Sequence, residues 1–112
     1  MATTSTIPAA QAIELTGLIA AATGGIASRV LAKNSGGSLT LFAFAAGEGL
    51  SEHTTPFDAL VLTLDGALTL TISGQSMNAV PGTIVRLPAN IPHAVDAAVA
   101  SRMLLIMLRG TD

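Results

Sequence analysis

The sequence predicts an all-β fold, a sandwich or barrel of short strands, and three observations carry that expectation. Apolar and polar residues alternate with a period of two in several short runs. Turn signals rich in Gly, Pro, Asn and Asp recur roughly every ten residues. The final run, Ser101 to Arg109, is apolar on both faces, as a strand between two layers should be.

At 112 residues the chain is one domain. A domain of this size buries roughly two thirds of its unfolded surface, enough for a core without staples. Residues 1 to about 10 are small and polar and read as an arm. From Gln11 to Thr23, the apolar Ile13, Leu15, Leu18 and Ile19 suit either a short helix or a strand-loop, which Gly24-Gly25 ends. The expected division is therefore an arm and leading segment over 1–24 and a β-barrel over 25–112.

The strands follow in order. Ile26 to Lys33 ends at the turn Asn34-Ser-Gly-Gly, and Ser38 to Ala45 alternates Leu39, Leu41, Ala43 against Thr40, Phe42, Phe44, so the two predict a hairpin. Gly47 to Pro56 reads as a connection. Phe57 to Leu64 and Ala67 to Ser73 flank Asp65-Gly66, a strong short-range signal for a second hairpin. Gly74-Gln75-Ser76 reads as a turn before a short strand, Met77 to Val80. After Pro81-Gly82 come a strand over Thr83 to Leu87, a bend over Pro88 to Pro92 and a strand start at His93 to Val95.

Composition removes several classes of function. Charged residues are 11% of the chain and the net charge is -2, with neither Trp nor Tyr, so phosphate-backbone binding and base stacking have little to work with. There is no cysteine, hence no disulfide, thiolate ligand or cysteine nucleophile. No Ser-His-acid spacing supports nucleophilic catalysis. Paired carboxylates are missing from any single strand face, and no glycine-rich phosphate loop precedes a helix. No run is apolar enough for a membrane span, and no Lys or Arg precedes Arg29 as a signal peptide would want, so the expected location is the cytoplasm. Hydrophobic residues at 50% with so few charges predict an exposed apolar surface and a homodimer.

The two histidines mark the stretches that bear chemistry. Gly47-x5-His53, a bend at Pro56 and an apolar strand to Gly66 form one. Gly74-x6-Pro81-Gly82 followed by x5-Pro88-x3-Pro92-His93 forms the other. Together they resemble the two motifs of a cupin, in particular the small single-domain bacterial cupins of the conserved-barrel type, over about residues 38–109. The resemblance implies an RmlC-like jelly-roll barrel with a short N-terminal arm, often dimeric, with a pocket at one end and frequently a divalent metal there. His53 matches the first histidine of the family's metal motif and His93 the last. Thr55 stands where a second histidine belongs and Ala59 where an acid belongs.

A tight divalent site normally takes three or more protein ligands. Asp58 is the candidate third, provided the bend at Pro56 re-aims it, since strand parity alone turns it away from Ala59. Glu52 and Asp96 fall on the opposite face from the histidines by the same parity. The implied metal (Zn, Ni, Fe or Mn) is accordingly weak or absent. Thr55, Ala59 and Arg86 are expected to line the pocket. Arg86 has two readings: it reaches the pocket and binds an anion, or it lies outside or at a dimer interface. His93 likewise is either a satisfied core group or a pocket group. Met103 and Met107 share a face of the last strand and read as core filler.

Three functions remain open: a small-molecule-binding barrel with polar handles at His53, Thr55 and His93; a metal-dependent enzyme of oxygenase, isomerase or lyase type; and a structural module. No nucleic-acid or membrane partner is expected.

Overall fold

Ten strands, all paired antiparallel, build two sheets in the computed structural model, which describes residues 2–110. The strands are β1 (Thr4–Ser5), β2 (Ile26–Asn34), β3 (Gly37–Phe44), β4 (Gly49–His53) and β5 (Asp58–Asp65) in the first half of the chain. In the second half come β6 (Leu68–Ile72), β7 (Gln75–Ala79), β8 (Ile84–Leu87), β9 (His93–Asp96) and β10 (Ser101–Leu108). One sheet has the order β1-β2-β3-β10-β5-β8 and the other β4-β9-β6-β7. This is a jelly-roll barrel. Among the described residues no helix is long and apolar enough to cross a membrane.

The alternation read from the sequence places the main core between the sheets. Phe44, Val61, Leu68, Leu70, Val95 and Met103 point inward and are buried. A second core lies on the outer face of the larger sheet, where Leu31, Leu41 and Leu104 pack under Leu15, Leu18 and Ile19. β10 runs down the middle of that sheet with Met103 on one side and Leu104 on the other, so its two apolar faces both find partners.

The leading segment over residues 11–23 therefore does structural work. It contains one 3-10 turn, Leu15–Leu18, and is otherwise irregular. Two arginines tie it down through its carbonyls: Arg29 donates to Leu18 O, and also to Thr6 O of the arm, and Arg102 to Thr16 O and Ile19 O, all at 2.9–3.0 Å. The polar arm also joins the fold, because Thr4 and Ser5 pair with Lys33 and Ala32 at the sheet edge.

Three expectations need correcting. Asp65-Gly66 does not make a hairpin: β5 pairs with β10 and β8, β6 with β9 and β7, and the turn carries the chain from one sheet to the other. Gly66 has φ 77°, and a Cβ there would run into Ser101 Oγ and the Ala100 carbonyl, so the crossing passes too close for any side chain. Ser101 Oγ, 2% exposed, holds the far side by accepting from Ala67 N at 3.0 Å and donating to Val99 O at 2.9 Å. Gly47 to Pro56 is more than a connection, since it contains β4. The turn before β7 is Ser73-Gly74, both residues having positive φ, and Gln75 already belongs to the strand.

Candidate functional site

His53 and His93 come together at one end of the barrel. They are register partners across β4 and β9, with ring centroids 4.4 Å apart and planes at 70°. The pairing depends on a β-bulge. Leu50 faces Val95 and His53 faces His93, so β4 spends one more residue than β9 over the same span. Strict alternation would put Leu50 and His53, three residues apart, on opposite faces. The extra residue turns both into the barrel, where they line one cavity with Val61, Leu87, His93, Val95, Met103 and Leu105.

The hydrogen bonds fix the state of both rings. His53 Nδ1 lies 2.7 Å from Ser51 O and His93 Nδ1 lies 3.1 Å from Ile91 O. A carbonyl oxygen only accepts, so each Nδ1 carries the proton and donates it. Each Nε2 is therefore an unprotonated acceptor in the neutral ring. His93 is 3% exposed, and burial pushes its imidazolium form below the usual range. The bond to Ile91 O opposes that shift, while the charge on His53 adds to it. His53 is exposed at the mouth.

The bend that delivers His93 is anchored by residues from the first motif. Asp58 Oδ1 accepts from Ala89 N at 2.8 Å, and Thr55 O accepts from Asn90 N at 2.7 Å. Asn90 sits in the left-handed region with φ 63°, which asparagine tolerates better than most residues. Ser73 N donates to Pro92 O at 2.9 Å from the other side. The loop is thus held at three points just before the histidine.

Several expected site residues lie elsewhere. Asp58 points to the outer face, where its other oxygen accepts from Arg86 at 2.9 Å. The Ala89 amide, followed by Arg86, holds its carboxyl below the ordinary carboxylate value. The bend at Pro56 leaves the parity of β5 intact, so Asp58 is an anchor and not a third ligand. Arg86 shares that outer face, with a side chain 64% exposed, and does not reach the cavity. Thr55 Oγ1 donates to Phe57 O at 2.9 Å, which occupies the hydroxyl. Ala59 is buried in the inner core, and it contributes no polar atom.

The donor set does not fit a divalent ion. Among the described residues no group of three or more His, Cys, Asp or Glu side chains could hold a metal. The cavity wall carries no carboxylate to offset a double charge. Its apolar walls, Leu50, Val61, Leu87 and Val95, carry no signal in the sequence that separates them from the rest of the core. Met103, expected as core filler on one face of the last strand, is buried in the cavity wall.

Comparison with known proteins agrees with this architecture. Residues 40–108 match the family model described as "Cupin domain". A conserved protein of unknown function from Streptococcus pyogenes superposes with a TM-score of 0.91 at 28% identity, over 100% of this chain and 98% of that one. A cupin superfamily protein from Desulfitobacterium hafniense gives 0.86 at 32% identity, over 93% and 95%. Salicylate 1,2-dioxygenase from Pseudoaminobacter salicylatoxidans shares the fold, with 0.70 at 13% identity over 81% of this chain and 28% of that one. No curated protein matches the sequence. A jelly roll in two sheets, paired histidines from two motifs at one barrel end, and a family match over residues 40–108 lead to one conclusion: the chain belongs to the cupin family.

Proposed function

We propose that the barrel end bounded by His53 and His93 binds a small, mainly apolar molecule that presents a hydrogen-bond donor. The observation that carries this reading is the pair of Nδ1–carbonyl bonds, which leaves two Nε2 acceptors side by side over an apolar floor. A site of this kind accepts a hydroxyl or amine. It has no donor to offer a carboxylate while the rings are neutral.

The cavity measures ≈ 20 Å³, room for one water-sized group. Drug-sized ligands fill roughly 300–1,000 Å³. The donor end of the ligand therefore enters, and its body rests at the mouth against Leu50 and Leu105, both half-buried. Such a protein serves as a sensor or carrier, or as an enzyme acting on the bound molecule.

The alternative, a metal-dependent oxygenase, isomerase or lyase using His53 and His93, asks two neutral imidazoles to hold a divalent ion without an acid. The donor set favours the binding reading.

Thermal melting against a panel of small phenols, alcohols, amines and carboxylates at pH 7.5 tests it. Phenols, alcohols or amines are expected to stabilise the protein, and His53→Ala to abolish the shift. Stabilisation by carboxylates alone, or a shift that survives His53→Ala, contradicts it.

A further inference from the structure

We infer that β7 is an edge at which a second copy of this chain docks, its own β7 pairing antiparallel about Met77, so that two four-stranded sheets join into one. This surface is separate from the barrel-end cavity and does not depend on what binds there.

The two sheets have four edges, and three of them are blunted. β1 is two residues long, and the part of β2 it leaves bare carries Arg29 and a bulge between Val30 and Ala32. β4 is bulged and carries Glu52. β8 is four residues long, holds Arg86 and runs into Pro88. β7 has none of these devices. Among the described residues it pairs with β6 alone, in unbroken register over its five positions from Gln75 to Ala79. It contains no proline, and the chain carries no charged residue from Gly66 through Val85.

The register shows which backbone groups are free. The tight turn Ser73-Gly74 makes Ile72 and Gln75 a hydrogen-bonded pair, so Gln75, Met77 and Ala79 turn their N–H and C=O groups toward β6. Ser76 and Asn78 turn theirs away from it. A twin strand centred on Met77 sets Ser76 opposite Asn78 in both halves, each pair exchanging N–H···O bonds in both directions. A two-fold axis also brings any charge on so short a strand close to its own copy, and β7 has none to repel.

The side chains fit the same occupant. Met77 shares the inward face with its register partner Leu70, which is fully buried, yet Met77 is 38% exposed because it stands at the edge. Against a twin it occupies a non-hydrogen-bonded position, where side chains approach most closely, and the two flexible thioethers cover each other. Val80 and Ile84, 49% and 59% exposed, flank a turn closed by the bond from Thr83 N to Val80 O and widen the apolar contact.

The chain has no natural cysteine, which makes a cross-linking test clean. Non-hydrogen-bonded partners lie about 4.5 Å apart at Cα, within reach of a disulfide. Met77→Cys is therefore expected to oxidise to a covalent dimer on a non-reducing gel, while Thr69→Cys, on the inner strand β6, stays at the chain mass. Light scattering at micromolar concentration supplies the second arm. Wild type should show twice the chain mass of 11.2 kDa, and Met77→Lys and Met77→Glu alone should each show the monomer mass. Mixed in equal amounts, those two variants should return the dimer, because only pairing about residue 77 sets the new charges against each other. Monomeric wild type, a dimer in either charge variant alone, a mixture that stays monomeric, or Met77→Cys that cross-links no faster than Thr69→Cys would overturn the inference.

Discussion

Asp58 occupies the position next to the family's acid, yet its two oxygens are already committed to the Ala89 amide and the Arg86 guanidinium. It shapes the site at one remove, through the bend that carries His93. Asp58→Asn keeps the side-chain size but removes the charge that strengthens both bonds. Hydrogen exchange at Ala89 and Asn90 is expected to accelerate, with a lower melting temperature. Because the folded-state pKa of Asp58 is lowered, its contribution is complete above about pH 3.8 and fades as the pH falls through the depressed value. His93 has the same sign at a higher pH. Its folded pKa lies below the ordinary 6.5, so its neutral, buried state contributes fully above pH 6.5 and loses that contribution as acid forces it to charge. No carboxylate lines its cavity to soften that cost, and His53 adds to it. Melting of metal-free wild type should therefore drop on going from pH 7.5 to 5.5, and His93→Gln should show a smaller drop over the same window.

At the scale of elements, the turns decide more than the strands do. Gly66 works both as a left-handed residue and as a point of close approach to Ser101. Gly66→Ala should cost roughly 1–3 kcal/mol from the backbone conformation alone, with the clash in addition, as read by chemical denaturation. The leading segment has its own test. Leu41, fully buried beneath it, is expected to lose about 2–5 kcal/mol on truncation to alanine. Arg102→Met, which removes the bonds to Thr16 O and Ile19 O, should open residues 11–23 to limited proteolysis while leaving the barrel resistant.

Most strand positions were legible because alternation and turn residues are local signals. What Asp65-Gly66 joins was not legible, since an identical dipeptide serves a hairpin or a crossing between sheets, and only the long-range pairing of β5 with β10 distinguishes them. The site was half legible. The motifs marked His53 and His93, but the bulge that turns His53 inward leaves no composition signal in Ser51-Glu52. Asp58 and Arg86 went outward because β5 alternates without a break from Asp58 through Thr63.

At the scale of the molecule, a chain with 11% charged residues leaves apolar surface uncovered. The outer face of the larger sheet exposes Ile84 at 59%, Leu108 at 50% and Leu39 at 37%. Patches of this kind mark association surfaces, and a homodimer is the expected state. Light scattering at micromolar concentration should return about twice the chain mass of 11.2 kDa, and Ile84→Glu should shift it toward monomer. The function proposed here rests on a smaller feature, two imidazoles at the barrel end that both offer Nε2 as an acceptor. Nitrogen-15 NMR of the histidine rings at pH 7.5 reads that directly. The account predicts both rings as Nδ1–H tautomers, each with an unprotonated Nε2. A proton on Nε2 of either ring would contradict it.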